Sequence, residues 1–209
     1  MIKSQSNIQA RIIPEFSLPE HQTIKRVLLF LKNVLPEFER DFQAVKQTIL
    51  LEDAISKQLS LFFQLKAKSE NLLFDFNPRI GVDFGIHVSP LQLGADPIFV
   101  IEAKRLSKQH YDYVKGETGG IERFKREFFG FGKHLSKSAM IGYIQEQKKE
   151  HWLPKVNSWI DEAIKNDTDS IWTEEDKLVA ENNISDYIST HLRVSGTTIT
   201  LYHFWLSLN

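Results

Sequence analysis

The 209-residue chain has no cysteine. That excludes a disulfide framework and a thiolate metal site, so any metal chemistry falls to carboxylates and imidazoles. Charge of one sign is also missing: 26 Lys and Arg stand against 27 Asp and Glu, for a net charge of -1. Such a chain does not adhere to nucleic acid over its whole surface, and any surface of that kind must be local. No apolar run approaches the length that spans a bilayer, and the first stretch, "MIKSQSNIQARIIPEF", lacks the apolar core of a secretory signal. No membrane association is expected, and the cytoplasm is the expected location. Repeats, low-complexity tracts and linker-like composition breaks are absent too, so one domain over residues 1–209 is expected. The glycines of "GETGG" and "GFGKH" fit neither a P-loop nor a dinucleotide-binding turn, and no histidine pair has the H-E-x-x-H spacing.

What is present is a change of period along the chain. "HQTIKRVLLFLKNVL" places Ile24, Val27, Leu28 and Leu31 at helical spacing, with Pro36 expected to punctuate the helix. In the helical run that follows, Ile55, Leu59 and Phe62 form the apolar stripe. Glu52 lies three residues before Ile55, on the same face, so its carboxylate is expected to point inward. From Asn71 the pattern alternates. "NLLFDFNPRIGVDFGIHV" reads as two strands around Asn77-Pro78, and "DPIFVIEAK" as a third. In "GGIERFKREFFGFGKHL" the residues Ile121, Phe124, Phe128 and Phe131 predict a packed helix. "SAMIGYIQE" is expected as a buried strand, with Gln145 at its end, and "EHWLPKVNSWIDEAIK" as a helix broken early by Pro154. "DYISTHLRV" and "TTITLYHFWLSL" flank Ser195-Gly196 as a hairpin whose aromatic residues are expected in a core or a dimer surface. The order implies an α/β fold of three layers, a central mixed sheet between helices, with helices at the N-terminal end and a C-terminal hairpin.

One strand poses a chemical question. Its apolar run, Ile98 to Ile101, leads into Glu102 and Lys104, and alternation puts both on the face of Val100. Apolar residues on both faces mark a central strand, where an isolated charge is costly. Asp83 in "GVDFGIHV" falls on the strand before. Together Asp83 and Glu102 could share a hard divalent cation, for which two carboxylates, water and substrate oxygens suit Mg²⁺. Lys104 would then steady a water or a scissile phosphate. The competing reading is an ion pair where the strand leaves the core. His87 shares the strand face of Asp83 by the same alternation.

"GVDFGIHV" followed by "IFVIEAKRL" resembles the PD-(D/E)XK nuclease superfamily, whose signature is an acidic residue on one strand and (D/E)-x-K on the next. In this chain 18 residues separate Asp83 from Glu102, which suits a hairpin. The resemblance covers roughly Leu51 to Gln145 and implies a restriction-endonuclease-like fold. It implies Asp83 and Glu102 as metal ligands, Lys104 as their catalytic partner, Glu52 as a further ligand, and Mg²⁺ or Mn²⁺ as cofactor. It also implies Arg123 and Lys125, on the following helix, as phosphate contacts. Gly81-Val82 stands where the superfamily often has proline.

On this reading the protein is a Mg²⁺-dependent nuclease, an endodeoxyribonuclease of DNA restriction, repair or phage defence. Its near-neutral charge would leave part of the grip on DNA to a homodimer or a partner subunit. The alternative is a restriction-like scaffold without turnover, serving as a nucleic-acid-binding or assembly module.

Overall fold

A computed structural model describes residues 19–45, 51–77, 82–90, 95–106, 111–117, 119–181 and 183–209. The expected turn after Asn77 and part of the loop before Pro97 lie outside them. In chain order the elements are α1 (Pro19–Ala44), α2 (Glu52–Lys66), β1 (Leu72–Asn77), β2 (Val82–Val88), β3 (Phe99–Leu106), α3 (Gly120–Arg126), β4 (Lys137–Ile144), α4 (Lys149–Lys165), β5 (Val179–Ala180), β6 (Tyr187–Leu192) and β7 (Thr198–Ser207). A short 3₁₀ turn, Glu174–Asp176, precedes β5.

The strands form one seven-stranded mixed sheet in the order β1-β2-β3-β4-β7-β6-β5. Strands β3, β4 and β7 run parallel to one another, and the flanking pairs are antiparallel. Alternation then sorts the side chains into two cores. On one face Phe99, Ile101, Ala139, Ile141, Tyr202 and Phe204 meet Leu28 and Leu31 of α1 and Leu59 and Phe63 of α2. On the other, Val100, Met140, Leu201 and Trp205 meet Phe124 of α3 and Trp152, Val156 and Ile160 of α4. Among the described residues, no helix is long and apolar enough to cross a membrane.

Four local expectations are corrected. Helix α1 runs through Pro36 and α4 through Pro154. Both prolines sit on the exposed side, where water can satisfy the carbonyl each leaves without an intrahelical donor. On α2 the fully buried aromatic is Phe63, and Phe62 is half-buried. Helix α3 is shorter than the spacing of its aromatics predicts. It stops at Arg126 because Glu127 turns left-handed, at φ 52°, so Phe128 joins a 3₁₀ turn and Phe129 faces solvent. The aromatic C-terminal hairpin is core: Phe204 and Trp205 are buried in the middle of the sheet.

Gly142, on β4, pairs with Lys104 on one side and Trp205 on the other. A Cβ there would come within 2.6 Å of Trp205 Cδ1 and 2.9 Å of Leu106 Cδ1. Since that indole is wholly buried it has nowhere to retreat. Gly142→Ala is expected to destabilise the fold by about 1–3 kcal/mol, read as a lower urea midpoint at unchanged slope.

Candidate functional site

Strand alternation carries Asp83 and Glu102 to the same face of neighbouring strands. The ladder between β2 and β3 ends at Phe84 opposite Ile101, just short of both acids. There the Asp83 side chain takes over the role of backbone, and Ala103 N donates to its Oδ2 at 2.8 Å. Glu102 is 1 % exposed. It therefore lies inside the sheet's cover and needs compensation for its charge.

Two cations supply it. Lys104 Nζ stands 3.0 Å from Glu102 Oε1, and Arg123 Nη1 lies 3.3 and 3.4 Å from the two Glu102 oxygens. The Arg123 guanidinium also stacks over the Phe131 ring, 4.1 Å from its centroid. Its Nε is buried without a hydrogen-bond partner among the described residues. Glu52, at the first turn of α2, reaches in as its spacing predicts. Its Oε1 lies 3.3 Å from Lys104 Nζ, and its Oε2 accepts from Arg105 N at 2.8 Å. Four residues on, Ser56 shares a buried hydrogen bond of 2.9 Å with the Tyr143 hydroxyl.

The electrostatics follow from crowding. Burial first, and then the neighbouring Glu102 charge, push the Asp83 carboxyl up to about 7, against the pull of Lys104 and the Ala103 N–H. Burial likewise raises Glu102, with Lys104 and Arg123 opposing. Burial works against the Lys104 ammonium, yet Glu102, Glu52 and Asp83 outweigh it and hold Lys104 above its ordinary value. Lys104 is thus a fixed cation at neutral pH. It can hold an anion or orient a water, but it cannot act as a base.

The structure brings Asp83, Glu102, Lys104, Glu52 and Arg123 together, and it places Lys125 elsewhere. Lys125 is 1 % exposed and donates to Asp176 Oδ1 at 2.5 Å and to the Leu192 carbonyl at 3.2 Å. The expectation that it meets a phosphate is corrected on that ground. Two positions along a helix turn through about 200°, so Arg123 and Lys125 look to opposite sides. That signal was available in the sequence. Ser56 and Tyr143 were not singled out there, although Ser56 follows Glu52 by one helical turn.

Among the described residues, no group of three or more His, Asp or Glu side chains is gathered closely enough to hold a metal. Glu52 serves Lys104 and Arg105 N instead of completing such a cluster. Asp83 and Glu102 nonetheless fit a hard divalent cation. They are two oxygen donors, and burial, together with the charge of Glu102, leads Asp83 to keep its proton, a cost that such an ion relieves, and Mg²⁺ needs few protein ligands. No protein-family model, no curated protein and no solved structure matches this chain.

Proposed function

We propose that the protein is a Mg²⁺-dependent nuclease, with Mn²⁺ as a substitute ion, that hydrolyses phosphodiester bonds in DNA on a restriction-endonuclease-like core. The observation that carries the reading is the meeting of Asp83, Glu102 and Lys104 at one place on two adjacent strands. Asp83 and Glu102 would hold the cation, which when bound would lower the pKa of a water and offset charge on the scissile phosphate. Lys104, kept protonated by Glu102 and Glu52, holds the attacking water or a phosphate oxygen by a charge-assisted hydrogen bond. Arg123, whose side chain is partly exposed beside Glu102, offers a second contact to a phosphate oxygen through its guanidinium. A homodimer or a partner subunit would supply further contact with DNA.

A second reading, a scaffold without turnover, is favoured by one observation. Lys104 and Arg123 already balance the Glu102 charge, which is what an internal ion network would keep.

The experiment is cleavage of plasmid, linear and single-stranded DNA in Mg²⁺, Mn²⁺ or EDTA. Cutting that needs the ion is expected. A chain that cuts neither DNA nor RNA, and whose unfolding temperature ignores both ions, would hand the site to the scaffold reading.

A further inference from the structure

Behind helix α3, opposite Arg123, a chain of buried polar groups begins at Lys125. Its Nζ donates to Asp176 Oδ1 at 2.5 Å, and the same oxygen meets His191 Nδ1 at 2.6 Å. His191 Nε2 meets Ser189 Oγ at 2.6 Å, and that hydroxyl meets His203 Nε2 at 2.7 Å. His203 Nδ1 meets the Tyr113 hydroxyl at 2.8 Å, which also accepts from Trp205 Nε1 at 3.0 Å. None of these residues is more than 3 % exposed.

The far end of the chain returns to the helix it left. The Tyr113 carbonyl accepts from Ile121 N at 3.2 Å, and its neighbours Asp112 and Val114 accept from Gly120 N and Glu122 N, each at 2.8 Å. So the first turn of α3 is fastened through Tyr113 and the last through Lys125, whose carbonyl also accepts from Val194 N at 3.0 Å. With seven residues, α3 is too short to persist on its own propensity, and Arg123 sits between the two anchors.

One set of directions gives every proton of this chain an acceptor. An indole N–H only donates, so Tyr113 accepts it and gives its own proton to His203 Nδ1. His203 therefore carries its proton on Nε2 and donates to Ser189. Ser189 donates to His191 Nε2, which leaves the His191 proton on Nδ1, facing the Asp176 carboxylate. Asp176 Oδ2 takes Thr173 N as well, at 2.7 Å. Both imidazoles are neutral and hold opposite tautomers. Burial, which lowers the affinity of each for a second proton, agrees with that. The charged groups facing His191 are Asp176, Lys125 and Arg193; His203 meets Ser189 and Tyr113 directly, lies across the sheet from Met140 and Tyr187, and feels His191. Ser189, His191 and Asp176 have the order of an acyl-transfer triad. However, Ser189 is 3 % exposed and its hydroxyl is already held by a second imidazole, so no substrate could reach it.

We propose that this one-way hydrogen-bonded chain is the positioning device for Arg123. By closing on α3 at both ends it holds the guanidinium against Glu102, with Ser189, His191, Asp176 and Lys125 acting through the helix and not on substrate. The inference rests on the nuclease reading only for the use to which Arg123 is put.

The test is side-chain NMR of the isotopically labelled full chain. Expected are a His203 Nε2–H and a His191 Nδ1–H tautomer, both neutral at pH 8, and distinct, slowly exchanging Arg123 guanidinium signals. Tyr113→Phe and, separately, Ser189→Ala should release the tautomers and collapse the Arg123 signals to the free average, while the amide spectrum of β1 to β3 persists. Ser189→Thr should restore them. Metal-dependent cleavage should fall by about tenfold to a hundredfold in the same two variants, chiefly through KM. Opposite tautomers, or Arg123 signals unchanged in whichever of the two variants stays folded, overturn the proposal. A wild type that cuts nothing counts against the nuclease reading alone, because the spectra still decide this one.

Discussion

Lys104→Met is expected to slow metal-dependent DNA cleavage about a thousandfold and to leave the chain folded. The methionine keeps the stem of the side chain and removes only the cation that stands 3.0 Å from Glu102 and 3.3 Å from Glu52. Neither acid is then stranded, because Glu102 keeps Arg123 and Glu52 keeps the Arg105 N–H. Lys104 stays protonated at every working pH, so its loss removes a fixed electrostatic contact to the water or phosphate, and the defect should fall on kcat more than on KM. Arginine is a poor replacement, since its planar fork does not fit the place of a compact ammonium. Initial rates on supercoiled plasmid, with circular dichroism to follow the fold, measure the effect. A loss smaller than tenfold would remove Lys104 from the chemistry.

Asp83→Asn is expected to abolish cleavage and at the same time to stabilise the protein at pH 8. The folded Asp83 carboxyl keeps its proton up to about 7, whereas an ordinary aspartate releases it near 3.8. Between those values the folded chain binds more protons than the unfolded one, so stability declines as pH rises through that window. Above pH 7 the whole penalty is present. At about 1.4 kcal/mol per unit, and allowing for partial exposure, it amounts to roughly 3 kcal/mol. Asparagine keeps the acceptor for Ala103 N and carries no charge. The variant should therefore melt roughly 6–12 °C higher at pH 8 and at nearly the wild-type temperature at pH 4, as calorimetry at the two pH values would show. Mg²⁺ should raise the wild-type midpoint at pH 8 and leave that of the variant alone. A variant that melts lower than wild type at pH 8 would mean that the Asp83 charge is already offset in the free protein.

How much of this was legible beforehand depended on whether the signal was local. The apolar run before Glu102 and the alternation that sets Lys104 beside it are properties of a single strand, and the two side chains do meet there. The inward turn of Glu52 followed from one helical period. Lys125 was misread because charge was weighed without angular position on the helix. Pro36 and Pro154 were read as breaks, since the sequence does not say which side of a helix faces water. Nothing local announced that β7 would lie parallel to β4 in the middle of the sheet, because hairpin signals specify only the pairing with β6. The buried chain from Lys125 to Tyr113 was hidden for the same reason. Its members come from five separate stretches, and the sole hint was Ser189 and His191 on one face of a strand that the sheet then covers.

The place of β7 bears on how the molecule comes into being. Its ten residues are made after the other six strands of the sheet, yet they stand between β4 and β6. Ser207 N also bonds to Glu39 of α1, 168 positions away, at 3.1 Å. Until that strand arrives, β4 has an open apolar edge and the first helices lack part of the floor they rest on. Folding of this sheet therefore waits on β7, and it is slow for its size because its decisive contacts are so distant. In the meantime the nascent chain exposes a sticky edge, where chaperones would be expected to bind.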